Sequence, residues 1–293
     1  MPSRFQSDVT DRDLMKNFFV KSLLVACLLS FSASVMAQSV EAEASQATDT
    51  VVSEITNIAA TSSCSHYAWR NRGRAPAAYV EGMAVTFAKS ICRLRAGDSG
   101  AQLTAEKNTG NTAKDAIAWY ENQFDSLELP IENSGADTLR SLYTLGLGLG
   151  MRESSGQYCT GYDTSAGPET ASTAEAGTFQ TSYNAMVASP ELGKLYASYK
   201  KNPSKCYLDI YSKNVSCTHQ NIVGTGAGAD YQRFVKSCPA FGAESAMMGL
   251  RVLRKQWGPI NRKEAEVNSS CDQMFGNVQE FVQDNANKVC PYL

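Results

Sequence analysis

The cysteines constrain this chain more than any other feature. It has nine, and Cys27 falls inside an apolar leader, which leaves Cys64, Cys92, Cys159, Cys206, Cys217, Cys238, Cys271 and Cys290 for the mature chain. An even number behind an export signal predicts up to four disulfides formed in an oxidising compartment. Spacing does not fix the connectivity, although Cys206 and Cys217 are close enough in sequence for a local hairpin bridge. The absence of a CxxC pair excludes a zinc ribbon and a thioredoxin-type redox motif.

The leader starts at a second methionine, Met15. Lys16 and Lys21 give a positive n-region, Ser22–Phe31 an apolar core, and Val35-Met36-Ala37 a small-residue cleavage site before Gln38. This is the pattern of a cleavable secretory signal over residues 1–37. The apolar run is too short to span a bilayer, which needs about 20 residues. Leu24-Val25-Ala26-Cys27 is similar to a lipoprotein processing site, but the apolar run continues past Cys27, which disfavours lipidation there. A periplasmic or secreted protein without stable membrane insertion is expected.

Composition removes other classes. With 43% hydrophobic and 19% charged residues the chain can bury a core, which excludes wholesale disorder. Its net charge of −2 argues against a nucleic-acid partner. The two histidines, His66 and His219, are far apart in sequence and cannot build a His-rich metal site by themselves. Neither a metal nor another cofactor is expected.

Residues 38–63 carry no aromatic and read as a flexible spacer, with a short helix conceivable around Val51–Ile58. One domain is expected over 64–293, mainly α with few short strands. Apolar residues recur at helical spacing over Ala77–Leu94, Thr112–Phe124, Asp137–Glu153, Ser189–Tyr199, Phe241–Trp257 and Cys271–Val289. Ser189-Pro190-Glu191 is an N-cap, a first-turn proline and an early acid. Pro259 should stop the fifth helix. Cys206–Tyr211 is the best strand candidate. Arg251, Arg254, Lys255, Arg262 and Lys263 form a basic cluster around Trp257, either a solvated helix face or an attraction to anionic polymer.

The stretch 139–184 carries the chemistry. Gly146, Gly148 and Gly150 lie within an apolar helix, where each costs about 1 kcal/mol relative to Ala. Such a cost implies close approach of another element, because glycine has no Cβ. Glu153 closes that helix, and Gly156 can take the left-handed position that ends it. The negative end of the helix dipole and apolar neighbours such as Met151 both favour a protonated carboxyl, as a general acid near neutrality requires. A polar, aromatic loop follows with Tyr158, Tyr162 and Asp163, then Glu175-Ala176-Gly177-Thr178-Phe179-Gln180 and Thr181-Ser182-Tyr183-Asn184. Amides beside flat aromatic faces suit sugar hydroxyls and pyranose rings.

Glu153-Ser154 at a helix end, followed downstream by Gly177-Thr178-Phe179-Gln180, resembles the lysozyme-like superfamily. The nearest pattern is that of lytic transglycosylases and goose-type lysozymes, which carry Glu-Ser and then Gly-Leu-Met-Gln. The resemblance implies a lysozyme-like helical domain, disulfide-stapled in this chain, that cuts peptidoglycan glycan strands between N-acetylmuramic acid and N-acetylglucosamine. It also implies that Glu153 is the acid, that Ser154, Phe179 and Gln180 belong to the sugar groove, and that Tyr183 and Asn184 adjoin it. Thr178 and Phe179 stand where the family has Leu-Met, and the Glu-to-Gln gap is longer, with an insertion bearing Cys159.

Hydrolysis uses two carboxylates, about 5–5.5 Å apart for retention and about 6.5–9.5 Å for inversion. Glu175, Asp163 and Glu169 are the candidates for the second, Glu175 foremost. By resemblance a transglycosylase manages with one acid, and the lack of a fixed second carboxylate tips the reading that way. A muramidase is one alternative. A non-catalytic glycan- or protein-binding protein of the same fold is the other, since fold does not fix function. A nucleophilic-cysteine enzyme would need Cys159 free beside His66 or His219, against the even cysteine count. A serine hydrolase lacks Gly-x-Ser-x-Gly. Gly224–Ala229 lacks the full spacing of a nucleotide loop and reads as a flexible loop. Asn214 and Asn268 sit in glycosylation-type triplets.

Overall fold

Three helices of unusually apolar sequence become the centre of the protein. α2 (Ala77–Arg95), α5 (Ala136–Ser154) and α9 (Pro239–Val252) are buried almost all round, which matches sequences with little polar surface to show to water. They touch one another, and α11 (Ser269–Asp284) packs across α2 and α5. Phe87 of α2, Tyr143 of α5 and Phe275 of α11 meet with ring centroids 5.0–5.9 Å apart, an edge-on cluster at the crossing.

This computed structural model describes residues 46–217 and 219–293. Val51–Leu293 form one compact unit; of the preceding unit, Met1–Thr50, only 46–50 are described, and they are helical. The expected signal and the Cys27 site lie outside the described residues. The expected spacer 38–63 is, over its described part, a helix: α1 spans 46–61. Val51, Ile55 and Ala59 recur at intervals of four and join the core, Ile55 with 0% exposure. A lack of aromatics mimics a linker in composition, but that apolar stripe is enough to dock a helix.

The remaining elements surround the centre. A hairpin of β1 (Ala68–Trp69) and β2 (Gly73–Arg74) follows a short 3₁₀ turn. Then come α3 (Ser99–Thr104), α4 (Ala116–Ser126), α6 (Pro190–Lys201), α7 (Leu208–Ser212), α8 (Ala227–Ser237), α10 (Gly258–Asn261) and α12 (Ala286–Val289). Side chains cap the starts: Asp98 and Asp115 each accept from a first-turn amide at 2.9 Å, and Ser189 accepts from Glu191 N at 3.2 Å. Among the described residues no helix is long and apolar enough to cross a membrane.

All eight cysteines pair, as Cys64–Cys271, Cys92–Cys290, Cys159–Cys217 and Cys206–Cys238. The expected Cys206–Cys217 bridge is therefore wrong: Cys206 reaches the start of α9, and Cys217 reaches the loop after α5. Cys206–Tyr211 is no strand but a 3₁₀ turn followed by α7, with Tyr207 left-handed between them. The fifth helix stops at Val252 rather than Trp257. Leu253 leaves the helical region, and Pro259 instead opens α10. Gly224 and Gly226, both at positive φ, lead straight into α8, a helix the loop reading missed.

The basic cluster around Trp257 divides: Arg251 and Arg254 are buried, whereas Lys255 and Arg262 are exposed. Arg251 and Asp115 form a salt bridge with both side chains 1% exposed. Arg254 is buried over the Trp119 ring and bonded to Thr112 O and Asn261. Arg262 pairs with Glu264, and Trp257 itself is core.

Candidate active site

The three costly glycines of α5 each make room for a different neighbour. A Cβ on Gly146 would strike the Met247 thioether, one on Gly148 the backbone of Glu266, and one on Gly150 the Tyr79 hydroxyl. Tyr79, in the first turn of α2, is fully buried and donates to Leu147 O at 2.9 Å. Its ring also lies 2.7 Å from where a Gly156 side chain would begin. Ser155 and Gly156 both turn left-handed, with Gly156 N donating to Gly150 O and Ser155 N to Met151 O. That double closure is a Schellman-type end. It fixes Glu153 in the last turn of α5.

Glu153 opens into a cleft of ≈ 580 Å³ whose other walls include Arg72, Tyr162, Asp163, Gln180, His219 and Asn221. Burial, then the charge of Glu175, pushes its carboxyl up to about 8, against the opposing pull of Arg72, Arg262 and Arg152. It therefore carries a proton at neutral pH. Glu175 is pushed up to about 7 by burial and by the charges of Glu169 and Asp163. Asp163 goes the other way. Its carboxylate accepts from Ser165 Oγ at 2.7 Å and Ser165 N at 2.9 Å, which holds it below the usual range. The cleft thus pairs a protonated acid with an ionised carboxylate.

Gln180 ends a tight hairpin. Ala176 and Thr181 exchange backbone hydrogen bonds at 3.0 and 3.1 Å, with Gly177 and Gln180 at positive φ. The hairpin is pinned from several sides: Gly177 N donates to Thr160 O at 2.8 Å, Trp257 Nε1 to Phe179 O at 2.8 Å, and Tyr231 OH to Thr181 Oγ1 at 3.0 Å. Gln180 Nε2 donates to Gly177 O at 2.9 Å, and among the described residues its Oε1 has no partner.

A second depression of ≈ 510 Å³ holds Glu169, Glu175, Ser182 and Asn184, with the apolar Val187 and Leu253 beside them. The expected groove residues therefore divide. Glu153, Asp163 and Gln180 line the first cleft, and Glu175 and Asn184 the second. Three do not line either cleft. Phe179, 1% exposed, packs its ring toward Tyr79 because an aromatic side chain in that tight turn gains more from the core than from water. Ser154 is buried, its hydroxyl donating back to Gly150 O. Tyr183 stacks edge-on against Tyr231.

Arg72, His219 and Asn221 were not expected in the cleft. The wall holding His219 and Asn221 is joined to the loop after α5 by the Cys159–Cys217 bridge, by Gly161 N donating to His219 O at 2.6 Å, and by Asn221 Nδ2 donating to Tyr162 O at 3.2 Å. Only the disulfide pairing could have shown this. Cys159 is thereby unavailable as a nucleophile.

No protein-family model, curated protein or solved structure matches this chain.

Proposed function

We propose that the protein is an exported lysozyme-like enzyme, a lytic transglycosylase that cuts the β-1,4 bond between N-acetylmuramic acid and N-acetylglucosamine in peptidoglycan. The observation that supports it is Glu153: a carboxyl held protonated to about 8 at the end of a helix closed by a Schellman-type turn, open to a cleft of ≈ 580 Å³.

In this reading Glu153 gives its proton to the bridging oxygen, and the sugar bond breaks as positive charge builds at the anomeric carbon. The carboxylate left behind is poorly solvated and therefore a strong base. It takes a proton from the substrate's own C6 hydroxyl, which closes a 1,6-anhydro ring and restores the acid. One group serves both steps because its environment favours the protonated state by more than water does. Gln180 offers an unpartnered amide oxygen to a sugar hydroxyl, and Arg72 tempers the charge on Glu153 between the steps.

A hydrolytic reading rests on Asp163, which lines the same cleft and is held ionised by Ser165. It would activate water as the base of a muramidase.

Mass spectrometry of the soluble products separates the readings. Disulfide-formed protein is incubated with peptidoglycan, with Glu153→Gln as control. Anhydro-muropeptides that vanish in the variant support the transglycosylase. Reducing-end products point to the muramidase. No products from folded protein would sink the enzyme reading and leave a glycan- or protein-binding role.

A further inference from the structure

Three arginines act on Glu153, and they differ in one respect. Arg152 and Arg262 are both bound to Glu264, at 3.1 Å and at 2.9 and 3.0 Å. Among the described residues the Arg72 guanidinium has no carboxylate partner and makes one hydrogen bond, from Nη2 to Arg152 O at 2.5 Å. That bond fixes one end of the guanidinium at the C-terminal turn of α5 and leaves the rest of the fork available in the cleft that Glu153 lines.

The position of Arg72 is built in from a distance. Gly148 lets the backbone of Glu266 lie directly on α5. The Glu266 carboxylate then grips the β1–β2 hairpin at two points, accepting from Tyr67 OH at 2.9 Å and from Arg70 N at 2.8 Å. Asn71 and Gly73, both at positive φ, turn the chain between the strands and present Arg72 at the tip. A helix glycine and a half-buried carboxylate thus aim an exposed cation.

A planar guanidinium fork matches a carboxylate. The cleft also carries the Asp163 carboxylate, with His219 close enough to help hold it ionised; among the described residues of the cleft, Arg72 is the arginine left without a carboxylate partner. We propose that Arg72 is a specificity residue that binds a carboxylate carried by the glycan strand, and that the cleft prefers acidic strands over neutral ones of the same sugars. This rests on the glycan-cleaving reading above. Two carboxylates could fill the role: the lactyl group of a stem-free muramic acid, or an acid of the attached peptide stem.

The test measures binding in a Glu153→Gln background, so that turnover does not interfere. The probes are stem-bearing strands, strands stripped of stems by an amidase, and both after chemical amidation of their carboxylates. Arg72 is exposed and the hairpin is held by Glu266, so Arg72→Gln leaves the fold in place. Its expected effect is about 10- to 100-fold weaker binding of acidic strands, the loss of one charge-assisted contact, and little change on amidated strands. Arg72→Lys, which keeps the charge without the fork, should recover part of the loss. Whichever unamidated strand shows the effect identifies the carboxylate. An equal loss on acidic and amidated strands, or no loss, overturns the role of Arg72 alone. Failure of the parent to bind any strand overturns the glycan reading and this proposal with it.

Discussion

The backbone of Glu266 occupies the space that a side chain at Gly148 would need. This differs in kind from the neighbouring contact, where Gly146 meets only the flexible end of Met247. Alanine gains about 1 kcal/mol in helix propensity over glycine, while overpacking costs about 1–3 kcal/mol where the neighbour cannot yield. Met247 can swing away, so Gly146→Ala should be near neutral in urea unfolding. Gly148→Ala should lower stability by up to about 2 kcal/mol, the overpacking cost less the propensity gain. It should also weaken glycan binding, because the displaced Glu266 holds the hairpin that carries Arg72.

Glu153 should also set the pH dependence of stability. Its carboxyl keeps a proton to about 8 when folded and releases it near 4.5 when unfolded. Between these values the folded state binds more protons than the unfolded state. Stability therefore falls as pH rises through that window, by up to about 1.4 kcal/mol per pH unit from this group. Glu175 adds a loss of the same sign between 4.5 and about 7. Glu153→Gln removes the larger contribution, so the variant should be more stable than its parent, and by more at pH 8 than at pH 5. Chemical denaturation at the two pH values checks this; an unchanged difference would mean that Glu153 is solvated.

The α5 half of the site is legible in the sequence because it is local. An apolar run, three costly glycines, a terminal acid and Gly156 lie within one short stretch, and each carries its own physical signature. The Gln180 hairpin is legible for the same reason. Phe179 misleads, since an aromatic in a polar loop suits a sugar face equally well until Tyr79 and Trp257 are known to be beneath it. Arg72 and His219 are not legible. Arg72 comes through a hairpin with two residues in each strand, held by a glutamate distant in sequence. His219 comes through a disulfide whose partner the cysteine spacing does not reveal. The buried Arg251 and Arg254 show the same limit: a run of basic residues looks solvated until Asp115 and Thr112 are placed opposite it.

Glu175 is the second largest influence on Glu153, after burial. If it acts only through its charge, Glu175→Gln should leave a working enzyme whose alkaline limb moves to lower pH. The limb should stay above 4.5, because burial remains. If Glu175 is instead the second carboxylate of a hydrolase, the same variant should lose nearly all turnover at every pH. A pH profile of peptidoglycan cleavage for parent and variant distinguishes the two, with Asp163→Asn as the parallel test of the other candidate.

The four disulfides should not be equivalent for function. Cys159–Cys217 joins two walls of the Glu153 cleft, since Tyr162 lies on one side of it and His219 and Asn221 on the other. Cys92–Cys290 is tied to the far end of α2, about 20 Å along the helix from Tyr79 at 1.5 Å per residue. Removing either bridge should cost roughly 2–5 kcal/mol of stability. Only the first should change the cleft, because the Gly161–His219 and Asn221–Tyr162 hydrogen bonds beside it must then hold the walls alone. Cys159→Ser with Cys217→Ser should therefore weaken glycan binding about tenfold or more at a temperature where the protein stays folded. Cys92→Ser with Cys290→Ser should lower the Tm and leave binding within about twofold at the same temperature, since loss of a remote cross-link acts mainly on the unfolded chain. Equal loss of binding in the two double variants would mean that the cleft walls are positioned by the core and not by the Cys159–Cys217 bridge.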